Sequence, residues 1–404
     1  MTAPAVITGL GVASPNGLGK GAYWAATLGC QSGIGRITRF DPARYPARLA
    51  GEIDDFQAEE HLPPRLLPQT DRMTRLALVA TDWALEDAGI TPGSLPEFDM
   101  GVITASSSGG FEFGQRELQK LWSQGGQHVS AYQSFAWFYA VNSGQISIRN
   151  GMKGPSSVLV SDQAGGLDAL AQARRQIRKG TPLIVSGSID ASICTWGWVA
   201  QITSGRLSTH LDPARAYLPF DRGAAGHVPG EGGAILVVED EAAARRRNAT
   251  VYGSIAGYGA TFDPKPGRAR APGLRKAMEL SLADARLDPG AIDVVFADAA
   301  AIPELDRIEA EAIGQVFGPR GVPVTAPKTM TGRLYSGAAP LDVAAALLSM
   351  RDGVIPPTAN VVALADYGLD LVTAQPRRAP VRAAMILARG YGGFNSALVV
   401  RAPN

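Results

Sequence analysis

The chain has 404 residues, 46% of them hydrophobic and 19% charged, which is a globular balance with apolar material for two packed domains or one large duplicated one. Its formal charge of +1 gives no net attraction to nucleic acid or to an anionic membrane. Its two cysteines, Cys30 and Cys194, sit far apart and outside any CxxC or His-rich spacing, which argues against a disulfide scaffold or a structural zinc site. No apolar run approaches a membrane span and no charged-then-apolar leader opens the chain, so the expected location is the cytoplasm.

Short runs rich in Val and Ile alternate with helical patterns. The expected strands are Ala5–Leu10, Met100–Ala105, Ser157–Ser161, Leu183–Ser188 and Ala234–Glu239, then Val251–Tyr258, Val294–Ala297, Met385–Ala388 and Ser396–Arg401. Helices are expected over Thr74–Ala88, Ala164–Lys179, Gly273–Ala285, Leu305–Val316 and Leu341–Arg351, with Asp71 and Asp162 as N-caps. The alternation indicates an α/β protein with largely buried sheets. Gly9-Leu10-Gly11 begins like a dinucleotide fingerprint but lacks its third glycine, and reads as a tight turn. The Ala-rich stretch Glu239–Thr250 is the expected seam between residues 1–240 and 251–404, and its Arg245-Arg246-Arg247 reads as a solvated helix end. No residue-level repeat crosses the seam, so duplication can show only in the order of elements.

At Val160-Ser161-Asp162-Gln163-Ala164-Gly165-Gly166 an apolar strand runs into an amphipathic helix. Such a corner can expose a nucleophile at a helix N-terminus, where free N–H groups stabilise negative charge. Here the exposed residue is Gln163, whose amide neither ionises near neutral pH nor carries an acyl group. In the glycine-dense run Asp221–Gly233, Glu231 reads as a buried hydrogen-bonding residue at a turn rather than an acid catalyst, and His227 has no partner at metal-ligand spacing. Helical spacing puts Phe111, Gly114 and Leu118 on one face of Gly109–Gln124. A mid-helix glycine costs about 1 kcal/mol relative to alanine, so Gly114 marks a face that needs room, either for close helix packing or for a cavity.

The Gln163 corner, the PGEGGA loop at Pro229–Ala234, the segment Pro327-Lys328-Thr329-Met330-Thr331-Gly332-Arg333 and the C-terminal Gly390-Tyr391-Gly392-Gly393-Phe394-Asn395 follow the order of a β-ketoacyl synthase. The resemblance spans essentially the whole chain. The strings GGFEF at Gly109–Phe113, SFAWFYAVN at Ser134–Asn142, GQISIRNGM at Gly144–Met152 and DQAGGLDAL at Asp162–Leu170 resemble the chain length factor, or ketosynthase-β, of bacterial aromatic type II polyketide synthases.

That resemblance implies a thiolase-like fold, two similar halves in a five-layered αβαβα arrangement. It also implies that Gln163 replaces the catalytic cysteine. With Asp306-Arg307-Ile308-Glu309 as anchor, Asp298 falls on the first histidine and Arg333 on the second. Lys328 keeps the family's lysine, and Tyr391 replaces the phenylalanine whose N–H helps form the oxyanion hole. Condensation needs a thiolate and neutral imidazole donors, whereas Asp298 is an anion that would repel a developing enolate and Arg333 is a fixed cation. The implied protein is a silent partner in a heterodimer with an active ketosynthase-α subunit. It binds no cofactor or metal itself, while the phosphopantetheine of an acyl carrier protein brings extender units to the growing polyketide.

In this family the helix carrying Phe111, Gly114 and Leu118 gates the far end of a shared tunnel. One large residue followed by smaller ones implies a decaketide or longer product. Trp196 either adds to the tunnel wall or packs in the core, and Phe135–Tyr139 belongs to the tunnel, the core or the dimer interface. The enzymatic alternative has Gln163 assisting decarboxylation of malonyl-acyl carrier protein to supply a primer.

Overall fold

A computed structural model describes residues 4–265 and 271–403. The main strands of the first part are β1 (Ala5–Ser14), β2 (Met100–Ala105), β3 (Ser156–Leu159), β4 (Leu183–Asp190) and β5 (Gly232–Asp240). The second part supplies β6 (Gly253–Phe262), β7 (Val294–Phe296), β8 (Pro323–Thr325), β9 (Ala383–Arg389) and β10 (Phe394–Arg401). The helices that position the site are α1 (Arg72–Asp87), α2 (Phe111–Gln124), α3 (Val141–Asn150), α4 (Gly165–Arg178), α5 (Thr195–Ile202), α6 (Leu274–Ala285), α7 (Pro303–Phe317) and α8 (Ala338–Asp352).

The strands join one 12-stranded sheet, in which β1 meets β6 antiparallel through the pairs Val6–Ser254 and Ile7–Gly253. Outward from that junction the order is β1-β5-β4-β2-β3 on one side and β6-β10-β9-β7-β8 on the other. The second run repeats the first, parallel and antiparallel pairings included. The duplication therefore lies in element order, without a residue-level repeat.

Alternation along the strands builds the layers, because successive side chains point to opposite faces. Ile103, Ile184 and Leu236 from the first half, with Phe296, Ile386 and Leu398 from the second, share a central core with α4 and α8. Their neighbours Val102, Val185 and Val237 face α1 and α3, while Val295, Leu387 and Val399 face α6 and α7. Helices, sheet, central helices, sheet and outer helices give the five layers.

The reading of Gly9-Leu10-Gly11 as a turn is corrected: both glycines lie within β1, which runs to Ser14. Their role is close approach, since a Cβ at Gly11 would stand 1.7 Å from the Ala80 carbonyl oxygen of α1, and one at Gly9 2.1 Å from that of Ala84. The basic run is only partly solvated. Arg247 turns inward, pairing with buried Glu239 at 2.5 Å and donating to the Ala88 carbonyl at 2.6 Å. Among the described residues, no helix is long and apolar enough to cross a membrane.

Candidate functional site

The corner after β3 is strained. Asp162 adopts φ 51°, which few non-glycine residues accept, and heads a single 3-10 turn over Asp162–Ala164 before α4 begins. The expectation that Asp162 caps this helix is corrected, because α4 starts behind Ala164 with no side-chain cap. The Asp162 carboxylate instead accepts the Tyr391 N–H at 2.6 Å, tying the Gly390–Phe394 loop to the corner. That bond occupies the N–H expected to serve an oxyanion hole. Gln163 is buried and lines a cavity of about 370 Å³ together with His227, Asp298, Arg333, Arg206 and Phe111.

Asp298 and Arg333 meet inside this cavity, and their charges cannot be read separately. Arg333 Nη2 donates to both Asp298 carboxylate oxygens at 2.8 Å, and its Nη1 donates to the Asp298 backbone carbonyl at 2.8 Å. Burial pushes the Asp298 carboxyl up, but the Arg333 guanidinium, with Lys328 and Arg389 beyond it, outweighs burial and holds it below the usual carboxylate range. The expected repulsion of an enolate by a lone anion is thereby revised, since Asp298 and Arg333 form a mutually satisfied pair with no net charge.

The acidic pair on α7 sets up the same turn. Glu309 accepts the N–H groups of Asp298 and Ala299 at 2.7 and 2.9 Å, and Asp306 accepts that of Phe220 at 2.8 Å. Lys328 is buried against Asp342 of α8 at 2.7 Å and donates to the Ala297 carbonyl. Glu231 is the buried turn residue expected, holding Arg39 at 2.9 Å, Arg72 at 2.8 Å and the Ile53 N–H at 2.9 Å.

Phe111, Gly114 and Leu118 do share a face of α2. Phe111 stacks on Trp196 with ring centroids 4.8 Å apart, and a Cβ on Gly114 would come within 3.2 Å of the same indole. Trp196 is exposed rather than a core residue, as are Trp137, Phe138, Val160 and Val199. The Phe111–Trp196 stack thus stands between an exposed aromatic face and the cavity.

Two cavity residues carry weight that sequence reasoning did not give them. The sequence offers His227 only as a metal ligand without a partner, yet it is buried in the cavity wall with Nδ1 unpartnered. Burial, reinforced by the Arg333 charge, pushes its pKa down to about 3, so the ring is neutral. Arg206 forms no ion pair among the described residues and lies over the Tyr391 ring, 4.7 Å from its centroid. Neither position bears a local motif; the fold brings them together through a backbone bridge in which the His227 N–H donates to the Arg206 carbonyl at 3.0 Å.

No cysteine lines the cavity. Cys194 caps α5 by accepting the Gly197 N–H, and burial pushes its thiol up to about 11. Among the described residues, no cluster of His, Cys, Asp and Glu suits a metal. The cavity therefore holds the amide of Gln163 and the Asp298–Arg333 ion pair, with no thiol among its lining residues.

Comparison with known proteins agrees with this geometry. Residues 2–244 match the N-terminal domain of β-ketoacyl synthases and residues 252–362 their C-terminal domain. An actinorhodin polyketide putative β-ketoacyl synthase 2 from Streptomyces coelicolor is 62% identical over 398 residues, covering 98% of both chains. The ketoacyl synthase beta subunit of the tetracenomycin polyketide synthase from Streptomyces glaucescens is 62% identical over 402 residues, covering 99% of this chain and 98% of that one. The solved structure of the ishigamide ketosynthase/chain length factor superposes over the full length of both chains with a TM-score of 0.92 at 26% identity.

Proposed function

Because the chain belongs to the β-ketoacyl synthase family, and within it to the ketosynthase-β or chain length factor branch, we propose that its own site is silent in condensation and that it shapes its partner's reaction. The observation that carries this reading is the buried Asp298–Arg333 pair beside Gln163, which leaves neither a thiolate nor an imidazole at the positions where condensation needs them. The exposed residues Trp137, Phe138, Val160, Trp196 and Val199 form the face that docks on ketosynthase-α. The growing polyketide stays on that subunit's cysteine, and extender units arrive on the phosphopantetheine arm of an acyl carrier protein. The far end of the chain meets Phe111, Gly114, Leu118 and Trp196.

With glycine at the second position and leucine at the third, the gate is open enough for a decaketide or a longer product. The test is the mass of the polyketide made by the reconstituted complex. Gly114→Phe, which must displace the Trp196 ring, is expected to shorten the chain at comparable turnover. An unchanged mass sinks the gate assignment.

A second reading gains one specific support. With Asp298 neutralised by Arg333, the cavity beside Gln163 no longer repels a carbonyl oxygen that gains charge, so a decarboxylating role for the Gln163 amide is electrostatically admissible. Blocking the partner's cysteine and comparing Gln163→Ala with the unmodified chain decides it. Equal rates of malonyl-carrier decarboxylation rule this role out.

A further inference from the structure

We propose that Asp71 is the positioning residue of the chain-length gate, a single carboxylate that caps two helices and so fixes where Phe111 and Gly114 stand. The inference rests on the reading of α2 as the gate.

Helix α2 begins behind Gly110, which has no side chain with which to cap it. A side chain could not be accommodated there, because a Cβ would stand 2.3 Å from the Ala136 carbonyl oxygen and 3.0 Å from Asp71 Cβ. An N-cap side chain ordinarily accepts the second or third N–H of its helix. Here that acceptor comes from another element: Asp71 Oδ2 takes the Phe113 N–H at 2.7 Å. Its Oδ1 takes the Met73 N–H at 2.8 Å, capping α1 in the usual way. The carboxylate is completely buried, with both oxygens engaged.

A second tie lies one residue away. Glu112 pairs with Arg39, which also holds the buried Glu231, and Glu231 is gripped in turn by Arg72, the residue after Asp71. The first turn of α2 is thus fastened at successive residues to the start of α1. Further along, Gln115 accepts the Thr195 hydroxyl and the Trp196 N–H at 3.0 and 2.7 Å, and buried Glu117 accepts the Ser130 N–H at 2.7 Å, so these bonds hold the body of the helix while Asp71 and Glu112 fix its start. With the Gly114 position already 3.2 Å from the indole of Trp196, a displacement of this turn moves Phe111 and with it the stack that bounds the opening.

The design separates the two caps. Asn and Ser are N-caps comparable to Asp, so Asp71→Asn and Asp71→Ser keep an acceptor for Met73. Asn presents an NH₂ donor to the Phe113 N–H, and Ser presents nothing. In the complete complex of this chain, its ketosynthase-α partner and acyl carrier protein, both variants are expected to spread one principal polyketide length over at least two. Peptides from 111–124 should exchange amide hydrogens about tenfold faster while those from 72–87 are unchanged, in line with losing one hydrogen bond to a charged acceptor. Glu112→Gln, which leaves Asp71 intact, is expected to broaden the lengths in the same direction and serves if the Asp71 variants assemble poorly.

A purely structural Asp71 would lower yield at one unchanged length. That result, or unaltered exchange in 111–124, overturns the proposal. Gly114→Phe run in parallel separates the failures: if it shifts the product and the Asp71 variants do not, only the positioning role falls, and if it too has no effect, the gate reading falls with it.

Discussion

Asp298 and Arg333 show how two buried charges are held in place by each other. Each is tolerable in a buried cavity only because the other is there, and removing one partner leaves an unpaired buried charge. Asp298→Ala is expected to cost about 3–5 kcal/mol in a denaturant titration, while the apolar double variant Asp298→Leu/Arg333→Met should cost much less than the sum of the singles. Additive losses would refute the coupling. His227 makes a different prediction, in pH. Its folded pKa, about 3, lies below the ordinary imidazole value, so only the unfolded chain takes up a proton as the medium becomes acidic. The stability it contributes is complete above the unfolded pKa of about 6.5 and is lost as pH falls toward the folded value. Between pH 7 and pH 5 that loss amounts to about 2 kcal/mol. His227→Phe should therefore flatten the acid side of the stability profile, and an unchanged slope would show that the imidazole is not held neutral.

At the scale of elements, α2 shows what a sequence can and cannot disclose. Phe111, Gly114 and Leu118 were legible as one face because a helix has a fixed period, and the glycine was legible as a demand for space. Which body needed the space was not legible, since Trp196 lies far along the chain and only the fold stacks it on Phe111. The same limit hid the second half of Asp71's work: its cap on α1 is a local signal, while its bond to Phe113 spans 42 positions. The Gln163 corner could be read because strand, turn and helix are contiguous. Its loss of charge repulsion could not, because Asp298 and Arg333 are 35 residues apart. A graded series tests the α2 account. Alanine at Gly114 gains up to about 1 kcal/mol of helix propensity, against which stands the tight approach to the indole. Gly114→Ala is thus expected to change the melting temperature little and leave product length as it was. If alanine shortens the product as strongly as phenylalanine does, Trp196 cannot yield and the opening is narrower than argued.

At the scale of the whole molecule, the duplicated topology is broken where it matters for assembly. The outermost strands of the two repeated runs, β3 and β8, are equivalent but finished differently. The outer edge of β8 is covered by Asp370–Leu371, whereas β3 ends the sheet with no described strand against it. An uncovered edge offers N–H and C=O groups to another chain, and β3 leads directly into exposed Val160. The register shows which groups are offered. The Pro155 carbonyl accepts from Val102 and the Leu159 carbonyl from Ser106, so odd-numbered residues face β2 and the Val158 N–H points outward. Proline is tolerated at such an edge position because it removes only the outward donor. Val158→Pro is therefore expected to leave the chain's urea midpoint nearly unchanged while weakening association with ketosynthase-α by about tenfold or more, the effect of roughly 1.4 kcal/mol. Val160→Asp, which puts a charge on the same face without touching the backbone, should weaken association as well. Light scattering on the mixed subunits reads both variants. Full-strength association of Val158→Pro would mean that the partner docks on the aromatic residues alone, and that the uncovered edge of β3 plays no part in choosing which half of the duplication faces it.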